Sequence, residues 1–94
     1  MTKITINQMP TFKKSYKKLP KYDQQKINDA INEIIENPEI GIEKKGDLEG
    51  VHVYKFKIHH QEMLLAYEWN PHERLLLALG VHENFYRDLK RKMK

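Results

Sequence analysis

Lys55 and Lys57 stand two apart in the segment Val51 to Ile58, where side-chain character alternates with the period of a strand. Both stems therefore leave one face about 6.5–7 Å apart, a span suited to gripping one phosphate or its neighbour. Two ammonium groups this close on a partly desolvated sheet repel each other, which favours release of one proton and lets a lysine serve as a base near neutral pH. The plainer reading of the pair is a solvated strand face. His82 and Tyr86 form a second group. His82 ends an apolar stretch and Tyr86 follows four residues later, so a helical turn starting at Glu83 brings imidazole and phenol within reach of one another. Imidazole is the natural acid or base near neutrality, and a tyrosine can donate its hydroxyl or stack on an unpaired base. Arg87, Lys90 and Arg91, with Lys92 and Lys94, read as phosphate grips that place a polyanion without reading its sequence, or else as a solubilising tail. His60, in the turn His59-His60, touches a substrate or is simply wet.

The chain has no cysteine, which removes disulfides, thiolate catalysis and Cys-based zinc sites. Any chemistry must come from Lys, His, Tyr, Arg or carboxylates. The histidines are scattered and fit no metal-ligand spacing, so neither a metal nor another cofactor is expected. The formal charge of +4 favours a polyanionic partner, although an excess of this size is also common on ordinary solvated surfaces. A chain of 94 residues suits one domain, spanning 1–94, with a single small core. No apolar run approaches the roughly 20 residues of a membrane span, and Met1 to Ile6 lacks an apolar secretory segment. The expected address is the cytoplasm.

The elements that must position these groups can be read from the same text. Thr2 to Gln8 alternates as a first strand, closed by Pro10. Thr11 is the expected cap of a helix in which Phe12, Tyr16 and Leu19 share a side, and Pro20 ends it. Asp23 is the expected cap of a second helix, striped by Ile27, Ala30, Ile31, Ile34 and Ile35 and stopped at Asn37-Pro38. Glu39 to Gly50 is polar and reads as a surface loop. Three strands follow, Val51 to Ile58, Glu62 to Trp69 and Arg74 to Val81, the last two joined by a hairpin turn at Asn70-Pro71-His72-Glu73. Glu83 to Lys94 suits a short C-terminal helix. The predicted fold is α+β: a small, antiparallel-dominated, four-stranded sheet with the N-terminal helical hairpin packed on one face. Tyr54, Phe56 and Ile58 form the better core face, so the helices should cover that side and leave Lys55 and Lys57 in an open groove.

The order of elements, the strand Met63-Leu64-Leu65-Ala66-Tyr67 and the ending Leu79-Gly80-Val81-His82-Glu83-Asn84-Phe85-Tyr86 together resemble the RelE/ParE superfamily of toxins. The resemblance covers nearly the whole chain. Tyr54-Lys55-Phe56-Lys57 is similar to the Tyr-Lys-x-Lys strand of the RelE branch, and Gly80-x-His82-x-x-x-Tyr86 to the ending of the YafQ-like branch. No single motif is stringent; their order and spacing are.

The resemblance implies a toxin paired with an antitoxin in a hetero-oligomer. The RelE and YafQ branches cut messenger RNA in the ribosomal decoding site, whereas ParE members poison DNA gyrase. Metal-free RNA cleavage needs a base for the ribose 2′-OH, cationic donors around the pentavalent phosphate and an acid for the leaving 5′ oxygen. Lys55, Lys57, His82 and Tyr86 are the expected catalytic set, with Arg87, Lys90, Arg91, His60 and Glu62 holding substrate. Glu62 matches a carboxylate of the YafQ-like branch. RelE-like ribonucleases also carry a clamping arginine in the strand occupied here by Glu62 to Trp69, and its position in this sequence is Leu64. That departure favours the alternative of a ParE-like gyrase inhibitor without nuclease activity. A third reading is a basic scaffold whose lysines serve only the antitoxin interface.

Overall fold

The computed structural model describes residues 3–81 and residue 85. A strand, β1 (Thr5–Gln8), leads into two helices, α1 (Pro10–Lys17) and α2 (Lys21–Glu36). Prolines open both helices: Pro10 is the first residue of α1 and Pro20 is the N-cap of α2. Proline lacks the N–H that the first helical turn leaves unbonded anyway, and its fixed φ suits entry into a helix. The expected caps are therefore displaced inward. Thr11 lies within α1 and Asp23 in the first turn of α2, where its carboxylate meets the positive end of the helix dipole. The apolar stripe of α2 behaves as its spacing requires, burying Ile27, Ala30 and Ile34. Each buried isoleucine contributes about 1.5–3 kcal/mol.

The sheet has five strands rather than four. Its order is β1-β5-β4-β3-β2, with β2 (Ile42–Glu43), β3 (His52–Ile58), β4 (Gln61–Asn70) and β5 (Glu73–Val81). All neighbours are antiparallel except β1 and β5, which run parallel. The additional strand lies within the polar segment read as loop, where Ile42 and Glu43 pair with Val53 and His52. Two residues are too few to show an alternation. The same segment holds a 3-10 turn, Gly46–Leu48, and reverses at Gly50 with φ 87°, a left-handed conformation that glycine adopts without strain. The C-terminal helix expected over Glu83 to Lys94 lies outside the described residues, apart from Phe85.

Apolar packing occupies both faces of the sheet, where a single core was expected. Against the helices lie Ile58, Met63, Leu65, Tyr67, Leu76 and Leu79, meeting Phe12, Ile27, Ala30 and Ile34. On the far face Val53, Leu64, Ala66, Leu77 and Ala78 are covered by Leu48, Val51 and Phe85. The second cluster follows from β4 and β5, which are nearly continuous in apolar residues and so need cover on two sides. Among the described residues no helix is long and apolar enough to cross a membrane.

Two side chains tie the α2 exit to the sheet. Arg74 is 4% exposed and donates to four carbonyls: Nε to Ile34 and Nη2 to Ile35 at the end of α2, and Nη1 to Asn70 and Glu73. Its guanidinium also lies 5.7 Å from the Trp69 ring centroid. A cation at a helix C-terminus meets the negative end of the dipole and the orphan carbonyls together. Tyr67 donates its hydroxyl to the Pro38 carbonyl at 2.7 Å and accepts from the Gly41 N–H at 2.9 Å, fixing the start of the following segment. Burial raises the Tyr67 phenol above its ordinary 10.0, against the lowering effects of the Gly41 N–H and of Arg74.

Candidate functional site

The alternation of β3 divides its side chains as the sequence requires. Val53 is buried in the far cluster, Tyr54 and Phe56 pack toward the helices, and Lys55 and Lys57 are exposed on the far face. The β3–β4 register pairs Lys57 with Glu62 and Lys55 with Leu64, and Leu64 in turn pairs with Gly80 of β5. Directly opposed residues of an antiparallel pair hold their Cβ atoms about 4.5–5.5 Å apart. The Glu62 carboxylate thus stands beside Lys57 on the same face, at the hairpin end of the sheet.

The groove is narrower than expected. Only the rows nearest the β3–β4 turn remain polar; the rows beyond them are capped by Leu48, Val51 and Phe85. A methyl group built on Gly80 would meet the Phe85 ring at 3.5 Å, so that ring lies over the glycine paired with Leu64. Leu64 itself is 0% exposed. The position matching the family's arginine is therefore filled by a core side chain, and a lysine strip borders it.

His60 lies at the tip of the hairpin, where Ile58 and Gln61 close a two-residue turn. His59 and His60 both have positive φ, 52° and 68°, the arrangement of a type I′ turn, which matches the twist of the strands it joins. His60 is exposed. His59 points back to α2: its Nε2 is 3.1 Å from Asp23 Oδ1, and its ring stacks on Tyr22 with centroids 5.0 Å apart. Sequence reasoning missed this contact because its partners lie 36 residues apart and neither forms part of a local pattern. His52 packs instead between Tyr67 and Trp69, and His72 lies in the β4–β5 turn at the opposite end of β4. The remaining expected site residues, His82, Tyr86, Arg87, Lys90 and Arg91, lie outside the described residues.

This arrangement can hold a phosphodiester on the ammonium groups of Lys55 and Lys57, beside a carboxylate that can orient Lys57 and an exposed imidazole at the tip. It supplies cationic donors and a titratable carboxylate on one short strip.

No curated protein sequence matches the chain. Several solved structures share its fold. The free-state structure of an arginine double mutant of the Escherichia coli toxin RelE superposes with a TM-score of 0.73 at 15% identity, covering 99% of this chain and 100% of that one. RelE in the intact E. coli RelBE toxin–antitoxin complex gives 0.67 at 17% identity, covering 85% and 98%. The solution structure of a conserved hypothetical protein from Helicobacter pylori gives 0.55 at 24% identity, covering 84% and 94%. At these identities the likeness establishes the RelE-like fold. A family model described as the ParE-like toxin of type II bacterial toxin–antitoxin systems matches residues 6–90, nearly the whole sequence. With its α+β fold and its paired lysines on β3, the chain belongs to this ParE-like toxin family.

Proposed function

We propose that this toxin is a ribosome-dependent endoribonuclease that blocks translation by cutting messenger RNA in the decoding site. The observation that carries the reading is the exposure of Lys55 and Lys57 side by side on β3, with Glu62 beside Lys57. In this reading one lysine or His82 takes the proton of the 2′-OH, the 2′ oxygen attacks phosphorus, and the P–O5′ bond breaks as an acid delivers a proton to the leaving oxygen. The other lysine bears the charge that builds on the pentavalent phosphate. Phe85, anchored over Gly80, fixes the far face immediately before Tyr86 in sequence. Tyr86, Arg87, Lys90, Arg91, His60 and Glu62 position the substrate. The reaction needs no metal or other cofactor.

The toxin acts in the cytoplasm and is silenced by a cognate antitoxin with which it forms a hetero-oligomer. The RelBE complex supports such a partner. A basic strip bordered by apolar surface suits an acidic, partly disordered segment that folds on binding.

The test is primer extension on messenger RNA in a purified translation reaction. Wild-type toxin should produce cuts within ribosome-bound message, and Lys55→Ala with Lys57→Ala should lower the rate about 100- to 1,000-fold, the loss typical of removing a charge-stabilising donor. Absence of cleavage by the wild type sinks this reading. A second reading, gyrase poisoning without chemistry, is favoured by the burial of Leu64 where the clamping arginine would stand. Supercoiling by purified gyrase decides it: inhibition by the toxin supports that reading, and unaffected gyrase ends it.

A further inference from the structure

The β3–β4 turn is built from residues that a stable hairpin would not select. Asn-Gly serves a type I′ turn with little strain, whereas two consecutive histidines at φ 52° and 68° hold side chains in a backbone region that is unfavourable for them. The tip carries imidazole in place of a turn-forming residue, and one of the rings is held in position. Asp23, in the first turn of α2, binds His59 Nε2 at 3.1 Å, and Tyr22 stacks beneath it at 5.0 Å with an interplanar angle of 28°. The carboxylate accepts, so Nε2 donates and the ring cannot rotate freely.

This ring column faces solvent. Tyr22 is 58% exposed, and the His59 side chain is 65% exposed although one of its faces is covered by Tyr22. Cations flank the column. Lys26 Nζ lies 5.6 Å from the Tyr22 centroid, and Lys26 lines a cleft between α2 and β3 floored by the stacked rings of Tyr54 and Phe56; Lys57, on the stretch of β3 beyond its pairing with β2, borders the same cleft from the sheet edge although its stem leaves on the far face. Of the carboxylates nearby, Asp23 is engaged by His59, Asp29 accepts from Gln25 Nε2 at 3.2 Å, Glu33 lines the cleft with the two lysines, and Glu62 is the strand partner of Lys57. Lys57 stands one residue before the end of β3, and His59 opens the turn that follows it. An exposed aromatic pair with ammonium groups beside it is the chemistry that receives a nucleobase with its flanking phosphates.

We propose that Tyr22 and His59 form a stacking platform for one unpaired base of the RNA whose scissile phosphate lies on Lys55 and Lys57. This rests on the RNA-cleaving reading and extends it: the base adds a third ring to the column, and Lys26 and Lys57 take the phosphates on either side. The platform recognises a base by its face, so it sets the register of the strand across the lysines without choosing a sequence.

The test uses a short unstructured RNA with 2′-O-methyl riboses, which cannot be cut, carrying 2-aminopurine at successive positions. Binding is followed by anisotropy and stacking by 2-aminopurine quenching. Wild type should quench the probe at one position. His59→Asn keeps the left-handed turn and an amide for Asp23 but removes the ring; it should weaken binding about 5- to 150-fold, abolish the quenching and leave the salt dependence unchanged. Tyr22→Ala should act in the same direction and Tyr22→Phe should restore binding, so the test survives if one variant folds poorly. Lys55→Ala with Lys57→Ala should instead reduce the salt slope. If that pair weakens binding while His59→Asn and Tyr22→Ala do not, the platform is overturned and the lysine site stands. Loss of antitoxin binding with RNA binding intact in both ring variants also overturns it, assigning the surface to a protein partner. If wild type binds no RNA, alone or on ribosomes, both readings fall.

Discussion

Arg74→Met removes a buried cation while keeping an unbranched side chain in its place. In the native fold the guanidinium donates to Ile34, Ile35, Asn70 and Glu73 carbonyls at 2.7–3.1 Å, with 4% of the residue exposed. Each hydrogen bond to a charged group contributes about 1.5–3 kcal/mol net. These do not add, because the bonds to Ile35, Asn70 and Glu73 are only part-buried and water can reach those carbonyls once the fork is gone, while the bond to Ile34 is fully buried. Losing the buried bond to Ile34, part of the other three and the cation at the α2 terminus gives about 3–5 kcal/mol, net of the desolvation that the charge no longer requires. In a domain of this size 1 kcal/mol moves Tm by roughly 4–8 °C, so the expected drop is at least about 12 °C. Urea unfolding followed by circular dichroism should give a lower midpoint with an unchanged slope. The single tryptophan, Trp69, packs against Arg74 and makes a second probe of the same transition. Arg74→Lys should recover only part of the loss, because an ammonium cannot fork to four carbonyls. A methionine variant within about 0.5 kcal/mol of wild type, the range of an inconsequential surface change, would refute the assignment of Arg74 as the clamp between α2 and the β4–β5 hairpin.

Other substitutions test neighbouring parts of the structure. Because burial raises the Tyr67 phenol above 10.0, the folded state holds that proton more tightly than the unfolded chain; the stability is fully present below pH 10.0 and is lost as pH rises through the folded value, and Tyr67→Phe should flatten this alkaline decline in urea midpoints. Gly41→Ala places a methyl group 2.7 Å from the Tyr67 hydroxyl and 3.1 Å from the Val53 backbone, so it should cost about 1–3 kcal/mol, less when combined with Tyr67→Phe. Phe85→Ala opens the far cluster above Gly80 and Leu64 and should cost about 3–5 kcal/mol in chemical denaturation. Leu64→Arg should not rescue or enhance RNA cleavage, because a side chain that is 0% exposed cannot become a guanidinium without disrupting the far cluster; faster cleavage by a folded variant would contradict that packing.

What the sequence disclosed followed local repetition. The alternation of β3 placed Lys55 and Lys57 on one face, and the stripe of α2 named Ile27, Ala30 and Ile34, because each pattern is complete within one element. The helix starts depart from the sequence expectation for a physical reason: proline ends a strand or helix but is equally at home where a helix begins, and Pro10 and Pro20 open α1 and α2. β2 escaped because two residues carry no period, and its pairing is set by β3. The far cluster escaped because Leu48 and Val51 reach the sheet from an irregular segment. The Tyr22–Asp23–His59 contact escaped because only the tertiary fold brings the hairpin tip to α2. The contact network of the lysine strip was legible only once register placed Glu62 beside Lys57 and Leu64 beside Lys55.

The parallel pairing of β1 with β5 has a bearing on how such a toxin comes into being. β1 has its partner in β5, joined from Thr5–Glu73 to Gln8–Leu76, so the edge of the sheet closes only after β5 has been made. Contacts of such long sequence separation form late. The β3–β4 hairpin that carries the lysines, by contrast, pairs residues close in sequence, from Ile58–Gln61 to His52–Tyr67. The strand that opens the sheet in sequence is thus the one whose place is secured last, and the β1 edge is where an incompletely folded molecule differs from the finished one.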